Sequence, residues 1–500
     1  TINSGGVNAS GIVSATSYTG SGANLTGIGL SIAPLAYNPD VNDILVTRTT
    51  GIGLTFNQRV FAGTGNVTLS LTSVGSTLVE NFGVGSSVTY NNDADPPNIT
   101  INPTADLSVN TQYAISYPSG AFIKNTGAGS SFVGTAYTFA TKGLDYQLWA
   151  WGSASWGGLA GNTSSTTTYS SPIQISGDNW NKLTKPPSGG ASLATKTDGT
   201  LWSWGYNDNG MLGLNQAHGA KISSPTQIPG TTWSSMSTSN NISFAMKTDG
   251  TLYSWGRNVS DWEGALGQND GVSKSSPVQI PGTTWSVVSN GNHFGLAVKT
   301  DGTLWTWGSN VGGMLGQNDR TWRSSPVQIP GTSWASVSGN QEEGAYAIRT
   351  DGTLWSWGYG TSGQLGHNEG TPAKKSSPVQ VGTDTTWSSI NGGGGFVNAI
   401  KTDGTLWAWG YNAQGELGQN SRTYYSSPIQ IPGTTWNTVE GMQTWVVATK
   451  TDGTLWNWGQ DHRLGVNASI ARSSPTQIPG TGWNGVLGGA TYVTYAIKEA

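Results

Sequence analysis

The chain has 500 residues, of which 10% are charged, with a formal net charge of −4, 73 glycines and no cysteine. Typical soluble domains carry about 25% charged residues and about 7% glycine, so this surface is nearly neutral and rich in turns. The few dispersed charges argue against a nucleic-acid partner. The missing thiols exclude a disulfide framework and a Cys-based metal site. No apolar run approaches the roughly 18 residues of a spanning helix, so no membrane insertion is expected.

Residues 1–36 begin "TINSGGVNASGIVSATSYTGSGANLTGIGLS", small, polar and punctuated by Gly. Too few large apolar side chains are present to close a core. The segment is therefore a flexible linker, or a thin fibrous piece that buries itself by oligomerising, for instance as a homotrimer. It lacks an initial Met and a basic-then-apolar leader, so a precursor or a removed segment before Thr1 is expected. The phrase "GIVSATSYTGSGANLTGI" resembles tail-fibre and other structural proteins of marine tailed phages, which implies a virion exterior.

Residues 37–142 alternate apolar and polar positions between Gly, Asn and Pro turns, in "GIGLTFNQRV" (51–60), "GNVTLSLTSV" (65–74), "NITINP" (98–103), "TQYAISYP" (111–118) and "AYTFATK" (136–142). Such short Thr-, Val-, Ile- and Tyr-rich runs predict an antiparallel β-sandwich. "LTFNQRV…NITINPTADLSVNTQYAISYPSGAF" resembles the bacterial Ig-like domain of S-layer and adhesin proteins. That resemblance implies a spacer without catalytic residues. "NNDADPP" (91–97) is read as a polar turn, since no Ca²⁺-loop spacing is present.

From Asp145 to Ala500 the chain repeats. Leu148, Leu201, Leu252, Leu304, Leu354, Leu406 and Leu455 each open an "LW.WG" motif, with Tyr253 replacing one Trp. Each unit continues to "SSP.Q" and then to another Trp, at 180, 233, 285, 334, 387, 436 and 483. Strand-like units of this period predict propeller blades, so the fold class is all-β, an Ig-like sandwich followed by a seven-bladed β-propeller. "KTDGTLWSWG" (196–205) holds two strands joined at Asp-Gly, a strong hairpin signal. Period two places Trp202 and Trp204 on one face, and likewise Trp305 with Trp307, Trp355 with Trp357 and Trp407 with Trp409. All eight are expected to wedge between blades. The array starts at "DYQLWAWG" without a preceding strand and ends at "TYVTYAIKEA", which supplies that strand. Pairing of the two ends would close the ring.

"DGTLWSWGYNDNGMLGLN…SSPTQI" resembles the repeats of the regulator of chromosome condensation over 145–500. That family includes guanine-nucleotide exchange factors, a β-lactamase-inhibitor protein and many secreted proteins. The resemblance implies the propeller fold and leaves function open. The even repeat spacing leaves no room for the exchange factor's inserted hairpin, so exchange activity is not expected.

No catalytic residue, metal ligand or cofactor is expected. Asp198, Asp249, Asp301, Asp351, Asp403 and Asp452 recur around the ring, where converging acid–base chemistry is impossible, and are read as turn formers. His218, His293, His367 and His462 lie in different units without ligand spacing. Adjacent Glu342 and Glu343 would face opposite ways in a strand. Departures from the repeat point elsewhere. Trp262, Glu263, Arg320, Trp322, Arg323, Tyr424 and Tyr425 lie in loops before "SSP" or beside Gly. His293, Glu343, Trp445 and Tyr492 lie at or next to a second variable position. Exposed aromatics beside Arg suit protein or glycan recognition. The expected function is a non-enzymatic exterior virion protein, a tail-fibre, receptor-binding or head-decoration protein. It would bind a host-surface glycan or protein, and other structural proteins through its N-terminal segment. A cell-surface or secreted adhesin is the alternative, and a secreted inhibitor or enzyme the third reading. A chain lacking residues 490–500 should melt well below the intact chain in calorimetry; an unchanged melting temperature would count against pairing of the two ends.

Overall fold

Alternation in the N-terminal strands buries one face of each. In the computed structural model Ile52, Leu54 and Phe56 are inaccessible to solvent while Gly53 and Thr55 are half-buried. The described residues are 34–38, 51–123 apart from short breaks, 137–140, and 146–499 apart from 154–157, 161–166, 185–190, 240, 259–263, 461–464, 467–469 and 491–492. The chain divides into two units, Thr1–Leu144 and Asp145–Ala500.

In the first unit two four-stranded antiparallel sheets are described. One has the order Pro34–Asn38, Ile52–Phe56, Asn98–Ile101, Val88–Asn91; the other Tyr137–Ala140, Gln112–Ser116, Asn66–Leu71, Leu78–Gly83. They share one core, with Leu54, Phe56 and Ile101 from the first sheet and Val67, Leu69, Ile115 and Phe139 from the second. Leu78–Gly83 and Val88–Asn91 escape the alternation reading because both are edge strands, mostly exposed and therefore free to be polar. The strand Pro34–Asn38 straddles the expected boundary at 36/37, with Pro at its first position, where no ladder donor is needed. Residues 1–33 lie outside the described residues.

The second unit repeats a four-stranded antiparallel meander, for example Trp180–Leu183, Ala191–Lys196, Leu201–Asn207 and Ala220–Ile228. Seven such sheets are described. Six run in chain order, and the other contains Thr168–Ile175, Tyr146–Ser153, Val493–Glu499 and Trp483–Ala490. In that sheet Leu148 lies opposite Ile497 and Trp149 opposite Ala496, so strands from both ends of the unit are hydrogen-bonded partners.

Successive sheets pack by one recurring formula. Leu201 and Ile228 of one sheet bury Trp233 and Trp255 of the next. Leu406 and Ile431 do the same for Trp436 and Trp458. Leu455 and Ile478 pack on Trp151 and Trp483, which belong to the composite sheet. In five motifs the second Trp also donates its indole N–H to a carbonyl on the preceding sheet: Trp255 to Met211 at 2.9 Å, Trp307 to Ala265 at 3.1 Å, and Trp357 to Met314, Trp409 to Gln364 and Trp458 to Glu416 at 2.8 Å. Those carbonyls belong to a "G-x-L-G" turn whose last Gly must lie flat on the indole. A Cβ at Gly213 would sit 2.8 Å from the Trp255 nitrogen, and its φ of +70° already favours Gly. A latch follows. Asn215 N–H donates to the Ser275 carbonyl at 2.8 Å, and Asn269, Asn318, Asn368 and Asn420 repeat it on Ser324, Ser376, Ser426 and Ser473. The Ser hydroxyl answers the latch, Ser275 Oγ donating to Asn215 Oδ1 at 3.0 Å, Ser324 to Asn269 at 3.2 Å and Ser426 to Asn368 at 3.3 Å, which favours Ser at the first position of "SSP".

The two Trp residues of a motif do not share the expected role. Trp204, Trp307, Trp357 and Trp409 are wholly buried between sheets. Trp202, Trp305, Trp355 and Trp407 are only half-buried. They lie one residue from the hairpin turn, where the sheet ends and the wedge opens to solvent. There the indole N–H of Trp202 donates to Thr200 Oγ1 at 2.8 Å, and Asp198 Oδ1 accepts from Thr200 N and Oγ1 at 2.9 and 2.7 Å. The Lys196 ammonium sits 4.9 Å from the rings of both Trp180 and Trp202, and every repeat clamps its Lys or Arg in this way. The turn aspartates thus act as turn formers, and these bonds hold their carboxyls below the usual range. In chemical denaturation, Trp204→Ala should lower stability by about 3–5 kcal/mol, and Trp202→Ala by only about 1–2 kcal/mol.

Candidate functional site

In an antiparallel meander the first-to-second and third-to-fourth connections leave the sheet at one end, and the Asp-Gly hairpins leave at the other. His293, Glu343, Arg320, Trp322 and Tyr424 all lie in connections of the first kind, and so share one face. Trp262, Glu263 and Tyr492 lie outside the described residues.

This face carries a polar and aromatic cluster across two neighbouring sheets. Glu342 accepts hydrogen bonds from Thr361 Oγ1 at 2.8 Å and Gln364 Nε2 at 3.3 Å. It leans toward the next sheet, where a Cβ at Gly395 would come within 2.8 Å of its Oε2. Glu343, at φ +62°, turns the other way, toward Gly312 of the preceding sheet. Burial raises the Glu343 carboxyl against the opposing pull of Lys374, which itself lies 4.6 Å above the Tyr359 ring. The two adjacent acids therefore diverge, as expected, although Glu343 sits in a left-handed turn rather than a strand.

On the next sheet Tyr411 and Tyr424 pair with ring centroids 5.0 Å apart, and Tyr424 is 47% exposed. Burial first, then Tyr411 and the negative Glu416 and Glu342, push the Tyr424 hydroxyl up to about 12. Glu416 is wholly buried. Its Oε2 accepts from Gln414 N at 2.8 Å, while Oε1 has no hydrogen-bond partner. Burial lifts its carboxyl to about 7, against backbone hydrogen bonds and Arg422.

The remaining candidates divide. Arg320 and Trp322 are exposed. His293 is half-buried, and burial with the nearby Arg257 lowers it to about 4, so it is neutral at pH 7. Tyr425 opens a strand and packs on the core beside Trp436, since neighbouring strand residues face opposite ways. Arg323 is engaged within its own loop, donating to Asp319 Oδ2 at 2.7 Å and to the Thr321 carbonyl at 2.9 Å. Lys274 with Asp270 makes the same brace one sheet earlier, so Arg323 is a loop support rather than a free cation. Trp445 is fully buried at the start of a second strand, where other repeats place Ile242, Phe294 and Phe396, and its indole N–H bonds Thr494 Oγ1. It belongs to the core and corrects the expectation of a binding residue.

Sequence reasoning passed over Gln364 and Glu416. They fill the "G-x-L-G" position that holds Met211, Ala265 and Met314 in other repeats, and polar groups at an otherwise apolar, buried position were the available signal. Glu416 carries a measurable consequence. Its folded pKa lies above the ordinary glutamate value of 4.5, so the folded state holds a proton that the unfolded chain has lost, and stability falls as pH rises from about 4.5 through about 7. Glu416→Gln, which copies Gln364, should remove this fall. The variant should unfold at equal denaturant near pH 4.5 and be more stable by on the order of 2–3 kcal/mol at pH 8.5.

The model of the regulator of chromosome condensation (RCC1) repeat matches residues 198–246, 351–400 and 403–442. Among curated proteins, the chain is 26% identical over 300 residues to the ultraviolet-B receptor UVR8 of Arabidopsis thaliana, covering 59% of this chain and 55% of that protein. It is 29% identical over 187 residues to the mitochondrial RCC1 domain-containing protein RUG3 of the same plant, covering 33% and 39%. The chain thus spans well under two thirds of these relatives. Among solved structures, Prp20p of Saccharomyces cerevisiae aligns with a TM-score of 0.64 at 19% identity, over 71% of this chain and 92% of that one. Human WBSCR16 aligns at 0.62 and 17% identity, over 71% and 100%. The C-terminal unit carries RCC1-type repeats and folds as an RCC1-like propeller of repeated four-stranded sheets.

Proposed function

We propose that this protein is a non-enzymatic recognition scaffold. Its propeller is a ring of seven blades closed by pairing of residues 146–153 with 493–499. Residues 37–142 form an Ig-like spacer, and the loop face holds the ligand. The pairing of Leu148 with Ile497, and the packing of Leu455 and Ile478 on Trp151, support the closed ring. One observation carries the binding role. The face bearing Glu342, Tyr424, Arg320 and Trp322 is varied and partly aromatic, whereas the opposite face repeats one Asp-Gly hairpin. Loops on a rigid scaffold are where recognition sits, and exposed aromatics beside Arg form typical interface anchors.

The ligand we favour is a host-surface protein or glycan met at the exterior of a tailed-phage virion, as a tail-fibre, receptor-binding or head-decoration protein. The virion placement rests on the N-terminal phrase within residues 1–31. A protein ligand draws support from fold neighbours, which include yeast RCC1 (Prp20) bound to Kap60. The intact chain should bind an array of bacterial surface glycans and extracted surface proteins. Replacing Arg320, Trp322 and Tyr424 together by Ala should weaken the strongest interaction at least roughly tenfold, with the melting temperature nearly unchanged. Undiminished binding by that variant would place recognition elsewhere.

A further inference from the structure

The outer edges of the sheets hold clefts separate from the Glu342–Tyr424 cluster. One of about 520 Å³ is lined by Asn215, Gln227, Trp233, Lys247, Tyr253 and Pro277. A second, of about 270 Å³, has Asn318, Pro330, Trp334, Arg349, Trp355 and Pro378 at the matching repeat positions. A third, of about 560 Å³, has Asn368, Asp384, Trp387, Lys401, Trp407 and Pro428. Each places the clamped cation of "KTDG" or "RTDG" at its wall, between two aromatic rings.

The third cleft differs in one respect. Its loop reads "VGTDTTW" where the first two clefts have "IPGTTW" and "IPGTSW", and the inserted Asp384 forms an ion pair with Lys401 inside the cleft. Thr386 N and Oγ1 donate to its other oxygen at 3.0 and 2.7 Å, and the Lys401 bond is the main cause that lowers the carboxyl to about 2. Asp384 stands three residues before its Trp. In the other six sheets that position is Gly177, Gly230, Gly282, Gly331, Gly433 or Gly480. A Cβ at these glycines would lie 3.5–3.9 Å from the charged nitrogen of Lys196, Lys247, Lys299, Arg349, Lys450 or Lys498. The space that Asp384 fills is thus open beside those six cations. None of the six forms a carboxylate ion pair among the described residues. The turn aspartate two residues on acts on the cation at longer range, and its Oδ1 is already taken by Thr.

We propose that these edge clefts are carboxylate-binding sites, each seating an anionic carboxylate on the clamped Lys or Arg, and that Asp384 is a built-in occupant of one of them. A cation flanked by two aromatic rings has lost much of its water, and a charge-assisted bond at such a position is stronger than at an open surface. The aromatic and amide walls suit a compact body carrying the acid, and the volumes lie near the range of small-molecule sites. Acidic sugars and acidic side chains share this chemistry. Repetition around one scaffold would add avidity for a polyvalent ligand.

The test is a titration of the full chain, with ¹⁵N-labelled indoles, followed by NMR. The indole N–H groups of Trp233, Trp334 and Trp387 have no hydrogen-bond partner and report on the three clefts. Acetate should shift Trp233 and Trp334 saturably and leave Trp387 unmoved, while glucose shifts none. In Asp384→Gly, which restores the residue of the other six sheets, Trp387 should join the responding set, a gain that a merely destabilised variant would not give. Lys247→Met keeps an unbranched chain between the rings and should weaken the Trp233 response at least roughly tenfold, with Trp334 as the internal control. Glucuronate binding more tightly than acetate would assign the clefts to acidic saccharides, and N-acetylglutamate doing so would assign them to acidic side chains. Absence of saturable shifts, an equal response of Trp387 in the parent chain, or an unchanged Trp233 titration in Lys247→Met would each overturn the proposal.

Discussion

An indole is large enough to fill the wedge between two twisted sheets, but burying it also buries an N–H that must find an acceptor. Here the second Trp of a motif meets a carbonyl on the neighbouring sheet, as Trp357 meets Met314. That one bond fixes the depth and angle at which the sheets stack. The "G-x-L-G" turn exists to present the carbonyl, its last Gly lets the ring lie against the chain, and the Asn that follows latches the next "SSP" strand. Removing the seat therefore loosens a turn, a latch and an apolar interface together.

Because each interface is secured in this way, the two ends of the sheets are released for different uses. The Asp-Gly end is chemically identical in six repeats, and its carboxylates are committed to Thr. The opposite end carries loops of unequal composition, and there Glu342, Tyr411, Tyr424 and the buried Glu416 gather across one sheet boundary. Glu416 shows the cost of such variety: it occupies a seat built for Met, keeps the backbone carbonyl that Trp458 needs, and leaves one carboxylate oxygen unbonded. The outer edge is a third surface, where the cation of each repeat is held between rings for structural reasons and is thereby poised toward anions.

Much of this was legible without coordinates. The Asp-Gly hairpins and the repeating, strand-bearing units of the array follow from local pattern and from counting repeats. The candidate site was legible in part. Tyr424, Trp322 and Glu343 stand out because they break the repeat, and they do fall on one face. Trp445 breaks it equally and is core, because the start of a second strand is a buried position, which other repeats fill with Ile242, Phe294 and Phe396. Arg323 also breaks it, yet its guanidinium is spent on Asp319 four residues away. A departure from a repeat marks a position as unusual; it does not say whether the side chain faces solvent or a neighbouring sheet.

Sequence by itself determined the elements, since hairpin turns and alternation depend on residues adjacent in the chain. It also determined the period of the array, because identical units must bury identical faces. Only tertiary structure decided which of two same-facing Trp residues is sealed and which is half-open, because that depends on distance from the end of the sheet. Only tertiary structure brought Glu416 near enough to Tyr424 to help raise its hydroxyl, and clamped Lys247 between Trp233 and Tyr253. Those relations join residues from separate strands and sheets, and their energies arise from burial and charge at short range, which spacing along a chain does not encode.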